Sequence, residues 1–263
     1  MRVLCKVICI CNQKGGVAKT TSTVNLGVGL AKEGKRVLLI DMDPQGSLTA
    51  SLGFVEPDDI GITLASVMME IINEEDLKPK EGILHHMEDV DLLPANIELS
   101  ALEITMGTVM SREVILKEYI EMMRAYYDYI LIDCPPSLNT LTVNAMVASS
   151  TVLVPIQCEY YALEGISQLI HTIDLVQQRL NSKLQIDGVV FTMYDARTNL
   201  SSDVVDTVKN NLNATVYQTI IPRNVRLAEA PSHGLPINLY DPKSTGAESY
   251  RNLAKEIIGR KDI

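Results

Sequence analysis

Short, almost unbroken apolar runs alternate along this chain with longer stretches in which apolar positions recur every three to four residues. Residues 3–11, 36–41, 129–133, 151–156, 186–192 and 216–221 read as strands, with 236–240 as a further candidate. The runs Arg36-Val37-Leu38-Leu39-Ile40 and Tyr129-Ile130-Leu131-Ile132 do not alternate between apolar and polar positions. Such strands are buried on both faces, as in a parallel sheet. Helical spacing covers 20–33, 100–127 (interrupted or in two pieces), 161–181, 201–212 and 247–258. The alternation predicts an α/β fold, a single domain over 1–263 built on a mostly parallel twisted sheet covered by helices on both faces. The acid-rich stretch 56–91 reads as a surface excursion, and no repeat, low-complexity tract or linker argues for a second domain.

Composition narrows the class. With 263 residues and 46% hydrophobic content, wholesale disorder is excluded. No run has the length and purity of a transmembrane helix, and a cleaved leader would remove the first strand, so a cytoplasmic location is expected. The net charge of −10 disfavours polyanion binding at first sight, but it is unevenly spread. Residues 1–182 hold 13 Lys+Arg against 24 Asp+Glu, whereas residues 183–263 hold 10 against 9. A local basic surface is therefore permitted in the last third. The five cysteines, Cys5, Cys9, Cys11, Cys134 and Cys158, lie in or beside apolar runs and read as buried thiols. The His85-His86 pair, within the acidic stretch, is expected to face solvent.

Candidate chemistry concentrates where strands end. After the first run comes Lys14-Gly15-Gly16-Val17-Ala18-Lys19-Thr20-Thr21, followed by a helical pattern. Strand, glycine loop and helix N-terminus together form a phosphate cradle, in which backbone N–H groups and the helix dipole face the anion. Lys19 can reach β- and γ-phosphates and Thr20 can ligate Mg²⁺. The ordinary spacing G-x-x-x-x-G-K-[ST] fails here, because its glycine positions fall on Gln13 and Ala18. The early Lys14 marks the deviant Walker A form instead. Asp41-Met42-Asp43-Pro44-Gln45-Gly46-Ser47 follows a second apolar run and reads as a loop able to orient an attacking water. Asp41 and Asp43 would share a face if strand geometry continued. Asp133-Cys134-Pro135-Pro136-Ser137 follows a third run, and Asp133 stands where a Walker B carboxylate supports the metal.

With these motifs the chain resembles the ParA/Soj family of partition ATPases, within the deviant Walker A group that includes MinD. Further matching segments are 157–165, Asp195-Ala196-Arg197-Thr198-Asn199-Leu200, Ile221-Pro222-Arg223-Asn224-Val225-Arg226-Leu227 and Glu229-Ala230-Pro231-Ser232-His233-Gly234. The resemblance implies an ATP- and Mg²⁺-dependent homodimer that binds double-stranded DNA without sequence preference, associates with the nucleoid, and is released when a ParB-like partner stimulates hydrolysis. By motif, Lys14 would reach the phosphates of the other subunit and Lys19 those of its own. Residues Gly15, Gly16, Val17, Ala18, Lys19, Thr20 and Thr21 would line the phosphates. Thr20, Asp43 and Asp133 would surround the metal, with Asp43 also positioning or activating water. Pro222, Arg223 and Asn224 would lie against the adenine, and Arg197 and Arg226 would contact DNA.

The chain departs from the family pattern at Ala18, where glycine is usual, and at Ser47, where asparagine is frequent. A positive φ at Ala18 would carry a conformational cost. Two other readings compete. A MinD-like membrane-surface ATPase that positions cell division would need a basic amphipathic tail, and only 259–263 follow the last helical pattern. An electron-transfer ATPase resembling the nitrogenase iron protein would need a second suitably placed cysteine beside Cys134.

Overall fold

The computed structural model describes residues 5–159, 164–211 and 215–260. In chain order its elements begin with β1 (Lys6–Ile10), α1 (Lys19–Lys32), β2 (Val37–Asp41), α2 (Ser47–Ser51) and α3 (Leu64–Ile72). Next come β3 (Leu84–His86), β4 (Val90–Leu93), α4 (Glu98–Met106), α5 (Ile115–Met123), β5 (Tyr129–Asp133) and α6 (Thr140–Ala148). The rest are β6 (Thr151–Gln157), α7 (Glu164–Arg179), β7 (Gln185–Thr192), α8 (Asn199–Asn211), α9 (Val225–Glu229), α10 (Ile237–Tyr240) and α11 (Thr245–Gly259).

Seven strands form one sheet in the order β3-β4-β2-β5-β1-β6-β7. All neighbours are parallel except β3 and β4. The uniform apolar character of the central strands follows from helices on both faces. Val7, Cys9, Leu38, Ile40, Ile130 and Ile132 enter one core, with side chains of α3 to α8. Ile8, Ile10, Val37, Leu39 and Leu131 enter the other, with α1 and α11. The parallel register puts the C-terminal ends of β1, β2 and β5 side by side, pairing Ile10 with Asp133 and Asp41 with Asp133. Ligands bind at that edge in open α/β sheets. All five cysteines are buried and free, as expected.

Several expectations are corrected. The 216–221 run forms no regular strand: isolated bridges join Val189 to Val216 and Tyr194 to Pro222, and the Tyr217 and Ile221 N–H groups donate to the Val189 and Phe191 carbonyls of β7. Between those two bonds the pairing is interrupted, where the Thr219 N–H, together with that of Gln218, donates to the Glu256 carboxylate. Residues 237–240 are a short helix rather than a strand, with the Ile237 N–H donated to Asn25 Oδ1. The 100–127 helical pattern is, as expected, in two pieces, α4 and α5, separated after Gly107 by a turn in which Ser111 has φ 54°.

The acidic 56–91 stretch is a surface excursion only in part. Its helix α3 sends Leu64, Val67 and Met68 fully into the core, and its later residues supply β3 and the first residues of β4. His85 is exposed, but His86 is buried opposite Val90, its Nδ1 accepting the Glu88 N–H, and burial lowers its pKa. The sequence expectations at residues 3–4, 160–163 and 212 lie outside the described residues.

Two glycines let α1 sit close to its neighbours. A Cβ on Gly27 would stand 2.5 Å from Leu39 Cδ2, and one on Gly29 would stand 3.0 Å from Ala254 Cβ and 3.3 Å from the Tyr250 carbonyl. Because that second contact includes backbone of α11, it cannot be relieved by a rotamer change. Gly29→Val is expected to destabilise by about 1–3 kcal/mol through overpacking, seen as a lower urea midpoint at unchanged m-value. An unaltered midpoint would contradict the close approach.

Candidate nucleotide-binding site

The loop after β1 is fixed before any ligand is considered. Asn12 is buried; its Nδ2 donates to the Pro155 carbonyl at 2.8 Å and its Oδ1 accepts the Lys14 N–H at 3.0 Å. Thr192, at the end of β7, donates its hydroxyl to the Val17 carbonyl at 3.1 Å. The turn itself requires left-handed backbone: φ is 74° at Gly16 and 67° at Ala18. Gly16 adopts this conformation without a Cβ penalty, whereas Ala18 carries one. Ala18 also holds the cap position of α1 and offers no side-chain acceptor to the first-turn N–H groups. Those donors are the anion-binding groups of a helix N-terminus.

Lys19 and Lys14 diverge. Lys19 is buried and curls back across the loop, donating from Nζ to the Lys14 carbonyl at 3.1 Å. Burial lowers its pKa, partly opposed by Asp133. Lys14 turns the other way, and its Nζ meets Glu159 Oε2 at 3.2 Å. Glu159 Oε1 in turn accepts a hydrogen bond from Gln157 Nε2 at 2.5 Å.

Asp133, at the end of β5, is fully buried, and both its oxygens accept from α1. Thr20 Oγ1 donates at 2.6 Å and Thr23 Oγ1 at 3.2 Å. Burial, then the nearby Asp41 carboxylate, push its pKa up to about 8 against the opposing Thr20, Lys19 and Thr23. A hydroxyl and a carboxylate in contact are hard oxygen ligands of the kind Mg²⁺ takes when phosphate oxygens and water complete its octahedron. Among the described residues no group of three or more His, Cys, Asp or Glu converges on a metal position. The donor set therefore fits a cation shared with a phosphate ligand. Thr20 and Asp133 would hold it.

Asp41 and Asp43 do not share a face, because the strand ends at Asp41. Asp41 is buried and organises the loop: Oδ2 accepts the Thr49 N–H at 2.8 Å and the Thr49 hydroxyl at 2.7 Å, while Oδ1 accepts the Asp43 N–H at 3.2 Å. Burial raises its pKa to about 6 despite those bonds. Asp43 stays half-buried, its Oδ1 accepting the Gln45 N–H. It is thus the carboxylate of this loop free to face a ligand.

The bridge between Tyr194 and Pro222 brings the last motifs to the same sheet edge, where the Arg223 N–H donates to the Tyr194 carbonyl at 2.8 Å. Asn224 caps α9, its Oδ1 accepting from Arg226 and Leu227 and its Nδ2 donating to Thr245. The cap holds Asn224 beside Pro222 and Arg223, and its Nδ2 keeps a second N–H beyond the one given to Thr245. Arg197 is 85% exposed and paired in bidentate fashion with Asp195 at 2.9 and 2.7 Å. Arg226 pairs with Glu229 at 2.9 Å and approaches Asp241 at 3.7 Å. Thr23 and Thr49 were not singled out from sequence. The only local signal was Thr23, three residues beyond Thr20 and so on the same helical face.

Comparison with known proteins agrees with this arrangement. A family described as an AAA domain matches residues 5–186. The chain is 53% identical over 252 residues to the sporulation initiation inhibitor protein Soj of Bacillus subtilis, covering 96% of this chain and 98% of that protein. It is 46% identical over 257 residues to the chromosome partitioning protein ParA of Myxococcus xanthus, covering 97% and 88%. Cobyrinic acid a,c-diamide synthase from Mycobacterium smegmatis, crystallised with an ATP analogue and magnesium, superposes with a TM-score of 0.84 at 38% identity, covering 96% and 93%.

Two measurements test this geometry. Ala18→Gly is expected to stabilise the protein by about 0.5–1 kcal/mol, left-handed strain outweighing the added chain entropy; a lower melting temperature would contradict the positive φ. The raised Asp133 pKa means that the folded state binds the extra proton. Its contribution is present below about pH 4 and is lost as pH rises through about 8. The ligand-free wild type should therefore lose stability relative to Asp133→Asn over that interval. A constant difference between the two would contradict it.

Proposed function

This chain belongs to the Soj/ParA family of chromosome-partitioning ATPases, and from that premise we propose a nucleotide-driven DNA switch. In this reading it hydrolyses ATP as a homodimer, holds double-stranded DNA without sequence preference on the nucleoid, and lets go when a ParB-like partner speeds hydrolysis. The observation that carries the reading is the divergence of the two loop lysines. Lys19 is committed to its own loop, whereas Lys14 leaves that loop and rests on a half-exposed carboxylate. A lysine so placed can exchange Glu159 for the phosphates of a second subunit. Association of two acidic chains then depends on nucleotide, because without it the facing charges repel.

Bound ATP with Mg²⁺ supplies the phosphate charge and the bond to be broken. Lys19 and the first-turn N–H groups of α1 neutralise phosphate oxygens, with Gly15, Gly16, Val17 and Thr21 shaping the loop. Asp43 orients the water, and Asp133 supports the metal together with Thr20. Arg197 and Arg226 meet DNA phosphates by giving up their present carboxylate partners, so each subunit alone holds DNA weakly. Two copies on one dimer double the phosphate contacts and steepen salt dependence.

The membrane-surface alternative is disfavoured by the C-terminal helix. Tyr250, Leu253, Ala254 and Ile257 of α11 are fully or almost fully buried, so its apolar face packs within the molecule. No helix among the described residues is long and apolar enough to cross a membrane.

Arg197→Glu combined with Arg226→Glu is expected to weaken ATP-dependent retention on duplex DNA by at least about tenfold and to flatten its salt dependence, with ATP binding intact. Undiminished retention would move the DNA surface elsewhere. Asp43→Ala should slow turnover by roughly 100-fold or more and prolong the DNA-bound state; native turnover would remove its assigned role.

A further inference from the structure

We infer that Thr49 is a positioning residue for ATP hydrolysis, holding Asp43 in place through Asp41. Thr49 lies in the short helix α2, beyond the loop that carries Asp43. Both Thr49 and Asp41, the last residue of β2, have no exposure. The Thr49 hydroxyl is engaged in both directions. It accepts the Ala95 N–H at 3.1 Å and donates to Asp41 Oδ2 at 2.7 Å. The Thr49 N–H reaches the same oxygen at 2.8 Å, leaving Asp41 Oδ1 to accept the Asp43 N–H at 3.2 Å. The Asp41 carboxylate is thus strung between α2 on one side and the Asp43 backbone on the other.

The far end of this relay is itself fastened. The Pro94 carbonyl, beside Ala95, accepts the Leu64 N–H at 2.8 Å from the start of α3. A Cβ on Gly46 would lie 3.0 Å from the Ala95 carbonyl, so the loop also packs against this backbone. The loop leaves the sheet at Asp41 and turns through Gly46, at φ 61°. Its other backbone bonds flank Asp43: the Met42 N–H donates to the Asp133 carbonyl at 3.0 Å, and the Gly46 N–H to the Asp43 carbonyl at 2.9 Å. The tie made by the Asp43 N–H runs through Asp41, and so through Thr49.

Removing the Thr49 hydroxyl takes one of two donors from Asp41 Oδ2 and leaves the buried Ala95 N–H without its acceptor. A carboxylate released at that oxygen can rotate and carry Oδ1 away from the Asp43 N–H. Displacing a reacting or orienting group by about 1 Å costs up to about 100-fold in rate. Nucleotide binding is fixed separately, because the phosphate loop is braced by Asn12 and Thr192. Loss of the hydroxyl therefore falls on turnover and spares affinity. This role rests on the reading of Asp43 as the group that orients water.

Steady-state turnover of the full chain with ATP and Mg²⁺, measured alongside binding of a non-hydrolysable ATP analogue, tests it. Thr49→Val should lower kcat by about 10–100-fold while KM and analogue affinity change by less than about threefold. Thr49→Ser, which keeps the hydroxyl, should restore kcat to within about threefold of wild type. Thr49→Ala repeats the deletion without setting a methyl against Asp41, should the valine variant fail to fold. In an Asp43→Ala background, loss of the hydroxyl should slow the residual rate by no more than about twofold, since both changes act on one event. Hydrogen exchange of the Asp43 N–H in the ligand-free protein should quicken in Thr49→Val relative to the β2 amides. Native kcat in both hydroxyl-free variants, a loss that serine does not rescue, or a full further loss on top of Asp43→Ala overturns the role of Thr49. Native turnover in Asp43→Ala alone would instead remove the reading of Asp43, and the role of Thr49 with it.

Discussion

A carboxylate with no exposure, Asp133, accepts hydrogen bonds from two hydroxyls on the first turns of one helix, and the nucleotide edge is arranged around that contact. It fastens the end of β5 to the start of α1 and thereby sets where the phosphate loop lies relative to the sheet. It also places a buried lysine and a buried acid in one region, each driven by burial toward its neutral form. The ligand-free site is thus electrostatically unsatisfied. A phosphate and a divalent cation together supply the countercharges that the protein withholds, which makes their binding interdependent.

The same economy of charge recurs on the surface. Lys14, Arg197 and Arg226, the cations assigned to a second subunit or to DNA, each rest on a carboxylate of their own chain. Each engagement is an exchange of partners rather than the capture of a free charge, so single contacts are weak and their sum governs. This suits the proposed reversible binding of a polyanion by a molecule with a net charge of −10.

Much of this was legible in the chain. The central strands were readable because burial on both faces leaves nothing but apolar residues, and β5 was predicted to the residue. The strands β3 and β4 were hidden: they are short, and His85 and Asp91 interrupt their apolar pattern. Residues 216–221 look like a strand, but Glu256, about forty positions away, takes the Gln218 and Thr219 N–H groups and interrupts the pairing with β7. The phosphate loop and Asp133 could be found because each lies directly after an apolar run. The roles of Thr49, Glu159 and Asn12 could not, because each depends on a partner distant in sequence. Ala18 illustrates the remaining gap: composition shows the missing glycine, and only the backbone shows that its φ is positive.

The claim on which the switch stands is that Lys14 belongs to the neighbouring subunit's phosphates. Sedimentation velocity with Mg²⁺ and a non-hydrolysable ATP analogue tests it most directly. Wild type should shift from monomer to dimer, and Lys14→Ala should remain monomeric while still binding the analogue. A wild type that stays monomeric at saturating nucleotide, or a Lys14→Ala variant that dimerises as well as the wild type, would contradict it.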